Sequence, residues 1–96
     1  MEKDYTIYDI KRMARQYGFR FYQGKGYCYF FAVNNLDIFL NCDSVEVCYW
    51  DQAELAFWER ELIWKIQNEL SFNNCEIYEN SQYWKHYEER AKTLQK

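Results

Sequence analysis

Proline is absent from this chain, glycine occurs three times and histidine once. Without proline, with so little glycine and with no Ser-rich or repeated tract, the sequence excludes a flexible linker, a disordered tail and a solenoid. The single imidazole, His86, has no second histidine to complete a metal set or a proton relay. Lying among Trp84, Lys85 and Tyr87, it reads as a helix-surface residue. No apolar run approaches the ~20 residues of a membrane span. The opening MEKDYTIYD is acidic and polar where a secretory leader is basic and then apolar, so a cytoplasmic protein without membrane contact is expected. The four cysteines, Cys28, Cys42, Cys48 and Cys75, read as reduced and inert small hydrophobes. Five residues separate Cys42 from Cys48, and ten separate Cys75 from His86, so no metal site and no cofactor is expected.

Aromatic residues, by contrast, make up 22% of the 96 residues, enough large rigid side chains to fill one core. Residues 1–96 therefore read as a single compact domain. The organising stretch is DQAELAFWERELIWKIQNEL, residues 51–70, which predicts a helix of about five turns. Asp51 stands at the cap position with Glu54 three residues on. Leu55, Ala56, Trp58, Leu62, Ile63, Ile66 and Leu70 share its core face, and Phe57 and Trp64 fall together on the opposite side.

An earlier helix is expected over residues 6–17, capped by Thr6 with Asp9 and stopped by Gly18. Its apolar stripe is Ile7, Ile10, Met13, Ala14 and Tyr17. Between residues 19 and 50 the hydrophobic period changes to two. Strands are expected at residues 19–23, 27–33 and 36–41, joined by turns at Gly24-Lys25-Gly26 and Asn34-Asn35, with residues 45–49 a short fourth strand. The second of these, YCYFFAV, is apolar on both faces and predicts cover on each side. Residues 71–79 read as irregular, with 75–78 extended. A last helix starts at Asn80 or Ser81 and runs to about Gln95. Its stripe of Trp84, Tyr87, Ala91 and Leu94 is the expected cover for Phe57 and Trp64; failing that, those two rings are free for a partner. The class is α+β: a small antiparallel sheet of three or four strands in the order helix, strands, helix, helix, with helices packed on the sheet.

Charge is unevenly spread. Residues 1–33 carry six Lys or Arg against three acids, residues 34–79 two against ten, and residues 80–96 four against two. No nucleophile, base or phosphate-loop pattern accompanies them, because the GKG turn has no following helix, so no enzyme is expected. The acidic middle predicts a protein-binding module that presents Asp51, Glu54, Glu59 and Glu61 as charge contacts, with Phe57 and Trp64 as apolar anchors. Its expected partner is a larger basic, nucleic-acid-handling protein, as for immunity proteins against nucleases, with no direct nucleic-acid contact; a homodimer through the aromatic seam stays open. The order helix, three strands, two helices is similar to that of some phage anti-CRISPR proteins, a resemblance that implies a small inhibitor encoded by a phage or mobile element. No motif assigns the chain to a family. The alternative is a nucleic-acid-binding domain. Helix, three strands, helix resembles the order of a double-stranded RNA-binding domain, and Lys11, Arg12, Arg15, Arg20 and Lys25 are placed for phosphates, with Tyr22, Tyr27 or Tyr29 for stacking. That family carries its basic residues at the start of the second helix, where this chain has Asp51, Glu54 and Glu59.

Overall fold

The computed structural model describes residues 4–33, 36, 38, 46–70 and 72–94. Four helices and a hairpin follow one another as α1 (Ile7–Gln16), β1 (Phe19–Gln23), β2 (Cys28–Ala32), α2 (Leu55–Glu69), α3 (Phe72–Glu79) and α4 (Trp84–Leu94). The class is α+β, and the described sheet has two antiparallel strands, fewer than the three or four expected. Of the predicted third strand only Leu36 and Ile38 are among the described residues, and both are buried. The predicted turn at Asn34-Asn35 lies outside them. In place of a fourth strand the chain makes one antiparallel bridge, Glu46 to Cys28. It then leaves the ladder: Val47 is 88% exposed, and a short 3-10 turn, Trp50–Gln52, follows.

α1 starts where the sequence places it, with the Thr6 amide donating to the Asp9 carboxylate at 2.7 Å. It stops at Gly18, whose φ of +87° is open to glycine at little cost. A Cβ built on Gly18 would also stand 2.6 Å from the Tyr83 ring and 2.9 Å from a Leu36 methyl. Gly18→Ala is therefore expected to destabilise the domain by about 1–3 kcal/mol, measured by urea denaturation. An unchanged midpoint would mean that neither the backbone angle nor the close approach matters.

The hairpin pairs Phe21 with Phe30 and Gln23 with Cys28 on its inner face, and Arg20 with Phe31 and Tyr22 with Tyr29 on its outer face. The outer face has no cover among the described residues, so the expectation that both sides of the second strand are packed is corrected: Phe31 is exposed and Tyr29 half-buried. The Gln23 side chain fastens the turn to the chain beyond the bridge. Its amide donates to the carbonyls of Gly24 at 2.8 Å and Tyr27 at 2.9 Å, and its oxygen accepts from the Trp50 amide at 2.7 Å.

α2 carries the core, with Trp58, Leu62, Ile63 and Ile66 buried as predicted. Its start differs. Ala53 is extended, which separates the 3-10 turn from the helix, so Glu54 stands at the cap position and Asp51 lies in the turn. The Trp50 carbonyl holds that turn in place by accepting from Trp58 Nε1 at 2.9 Å and from the Tyr5 hydroxyl at 3.1 Å. Ala56 points to solvent and Leu55 and Leu70 are half-buried, so the buried face is narrower than expected.

Residues 72–79 are helical where irregular and extended backbone was expected. Tertiary contact overrides the weak local propensity of two asparagines. The anchor is Tyr78, whose hydroxyl donates to the Tyr17 carbonyl at 2.7 Å and whose ring meets Phe19, Trp84 and Tyr87. Ser81 closes the following turn by donating to the Tyr78 carbonyl at 2.6 Å, and α4 begins only at Trp84. Because Tyr78 of α3 takes up Trp84 and Tyr87, Phe57 and Trp64 are left 38% and 52% exposed. The expected cover by the last helix is partial: Leu94 stands near Trp64, and both rings stay open to solvent on one side.

Candidate functional site

The residues singled out in the sequence do not form one acidic surface. Glu59 faces inward: Arg90 grips both carboxylate oxygens, at 2.9 and 2.8 Å, and the Tyr17 hydroxyl donates to it at 2.5 Å. Glu61 lies 4.0 Å from the ammonium of Lys65, which is 1% exposed and also 3.0 Å from Glu46. Burial and the neighbouring Glu46 carboxylate push the Glu61 carboxyl above its usual range. Asp51 and Glu54 are exposed near the amino end of α2, and Phe57 and Trp64 line its outer side with the exposed Arg60 between them. The structure thus brings Phe57 and Trp64 together on one ridge, keeps Asp51 and Glu54 near its end, and removes Glu59 and Glu61 into ion pairs.

The Glu59 pair has a pH signature. Burial disfavours its charged form, but the Arg90 guanidinium and the Tyr17 hydroxyl prevail and hold the carboxyl below the ordinary range. A carboxyl lowered by folding contributes stability above its unfolded value, about 4.3, and the contribution is lost as pH falls through the folded value. Arg90→Ala should therefore lower the denaturation midpoint near neutral pH and have a much smaller effect in strong acid. An equal loss at both would assign the effect to packing alone.

The second grouping lies on the outer face of the hairpin. Tyr22, Tyr27, Tyr29 and Phe31 form a continuous run of rings, with centroids 5.2 Å apart for Tyr22–Tyr29, 5.8 Å for Tyr29–Phe31 and 6.3 Å for the near-parallel Tyr27–Tyr29. Tyr22, Tyr27 and Phe31 are 43%, 40% and 38% exposed. Period-two alternation produces this face, because the partner side chains Phe21, Cys28 and Phe30 go into the core. α1 runs alongside, and between it and the hairpin a cleft of about 280 Å³ is lined by Lys11, Arg15, Arg20, Phe21, Tyr22 and Phe31. Among the described residues no ion pair engages Lys11, Arg15 or Arg20, whereas Arg12 is spent on Asp9. Lys11 also stands over the Tyr8 ring, 5.6 Å from its centroid. Phe31 was the residue missed in the sequence; its place opposite Arg20, two positions from Tyr29, is the pattern that marks it.

No family model matches the chain, and neither a curated protein nor a solved structure gives a significant match. Among the described residues no helix is long and apolar enough to cross a membrane, and no cluster of His, Cys, Asp and Glu is arranged to hold a metal ion. Flat rings in a row beside cations outside any ion pair among the described residues can stack planar groups and neutralise anions.

Proposed function

We propose that this chain is a non-enzymatic binding domain, acting in the cytoplasm, that takes single-stranded nucleic acid on the outer face of its hairpin. The observation that carries this reading is the row of Tyr22, Tyr27, Tyr29 and Phe31 beside the cleft of Lys11, Arg15 and Arg20. Base-on-ring stacking contributes about 1–3 kcal/mol per base and tolerates any sequence, and nearby cations bind the phosphates. The net charge of −3 does not oppose this, because the amino-terminal third is basic while the acids gather in later segments. Three phosphate contacts to a single strand predict an affinity that falls with salt at a log–log slope of about −2. The test is a fluorescence-anisotropy titration of labelled oligo-dT and oligo-U at several salt concentrations. Binding with that slope supports the reading, and no binding at low salt overturns it.

A second reading rests on a different observation, the exposed ridge of Phe57 and Trp64. Leu94, Ile63, Arg60 and Gln67 join Trp64 around a shallow cleft of about 180 Å³. Large rings at such a site serve as anchors for a protein partner, and Asp51 and Glu54 would supply charge contacts near its end. On this reading the chain is a small inhibitor of a nucleic-acid-handling protein, phage- or mobile-element-encoded and similar in role to anti-CRISPR or immunity proteins. Affinity capture with nuclease treatment separates the two. A protein retained after nuclease digestion and lost on Trp64→Ala favours the ridge; retention that depends on intact nucleic acid favours the hairpin.

A further inference from the structure

Cys28 and Cys48 are twenty residues apart in the chain, yet their sulfurs lie 3.9 Å from each other. The backbone holds them there. Cys28 and Glu46 exchange both amide–carbonyl hydrogen bonds, each 2.8 Å long, so the segment carrying Cys48 is fixed beside β2. The Trp50 amide, donating to Gln23, pins the same segment from its other end. Two thiols so held need a side-chain rotation and a small approach to bond, with no rearrangement of the fold.

We propose that Cys28 and Cys48 are an oxidisable pair that closes to a disulfide within the native domain when a small-molecule disulfide such as oxidised glutathione is present. The two sulfurs have distinct roles. Cys28 is fully buried, and burial together with the neighbouring Cys48 pushes its thiol up to about 12, so it is a poor first nucleophile. Cys48 is only half-buried and reacts first. Its thiolate attacks one sulfur of the reagent, that S–S bond breaks, and one glutathione leaves as thiolate and takes up a proton. The Cys28 thiol then gives its proton to solvent, and its sulfur attacks Cys48 Sγ. The mixed disulfide breaks and the second glutathione leaves as thiol. Two protein thiols are oxidised and one reagent disulfide is reduced. The buried Lys65 ammonium acts on Cys28 in the direction that favours its thiolate in the second step.

The experiment treats the folded full chain with oxidised glutathione, blocks remaining thiols with an alkylating reagent, and maps peptides by mass spectrometry. The expected result is loss of two of the four alkylatable thiols, a mass lower by two hydrogens, and one cross-linked peptide pair joining Cys28 to Cys48. The oxidised chain should also melt at a higher temperature than the reduced one, since the bond closes a loop in the unfolded chain. Cys48→Ser should form no internal disulfide at Cys28. Four free thiols, a persistent glutathione adduct on Cys48, a bond through Cys42 or Cys75, or a lowered melting temperature would each overturn the proposal.

Discussion

Trp58→Ala should cost the domain about 3–5 kcal/mol, a large share of the total stability of a chain this size. The ring is fully buried at the junction of α2 and the hairpin, with centroids 5.3 Å from Phe21 and 6.4 Å from Phe30. Truncation leaves a cavity between α2 and the hairpin. It also leaves the Trp50 carbonyl without its indole donor at 2.9 Å, loosening the 3-10 turn that leads into α2. Trp58→Phe helps to separate the two effects, because it keeps most of the volume while removing the donor. The measurement is urea denaturation followed by tyrosine and tryptophan fluorescence. A loss below about 1 kcal/mol for the alanine variant would show that the core relaxes around the hole.

The largest functional effect is expected from reversing the cleft's charge. Arg15→Glu combined with Arg20→Glu should weaken binding of a single-stranded oligonucleotide by about 100-fold at low salt and flatten the salt dependence. Both side chains are exposed and outside any ion pair among the described residues, so the melting temperature should stay close to that of the parent chain. Reversing Asp51 and Glu54 to Lys is the matched control on the other surface and should leave oligonucleotide affinity equal or slightly improved. If the control variant lost affinity and the arginine variant kept it, the hairpin face would be excluded as the binding surface.

The features legible in the sequence are those governed by neighbours along the chain. The Thr6–Asp9 start of α1, its stop at Gly18, the hairpin around Gly24-Lys25-Gly26 and the buried stripe of α2 are all set by spacings of two to four residues. The features that were not legible depend on distant partners. An asparagine-rich stretch folds into α3 because Tyr78 bonds to Tyr17, 61 residues earlier. Glu59 looks like a surface acid of a helix until Arg90, 31 residues later, turns it inward. Lys65, seven residues after Trp58 on the same side of α2, keeps its charge in the core because Glu46 and Glu61 stand beside its ammonium. Charge counted along the chain points to the acidic middle, whereas charge outside ion pairs among the described residues points to the basic start.

The hydrogen bond from Tyr78 to the Tyr17 carbonyl also bears on how the molecule opens. A two-stranded hairpin is marginal alone in water, so the aromatic row keeps its shape only while the helices behind it stay docked. Tyr78 joins the carboxy-terminal helices to the residue immediately before Gly18 and β1, so fraying from the end of the chain is transmitted to the hairpin. Amide hydrogens of β1 and of α4 should then exchange with deuterium through one shared opening event, at similar free energies, rather than as separate units. A fragment lacking the last two helices would retain the residues of the binding face without its geometry.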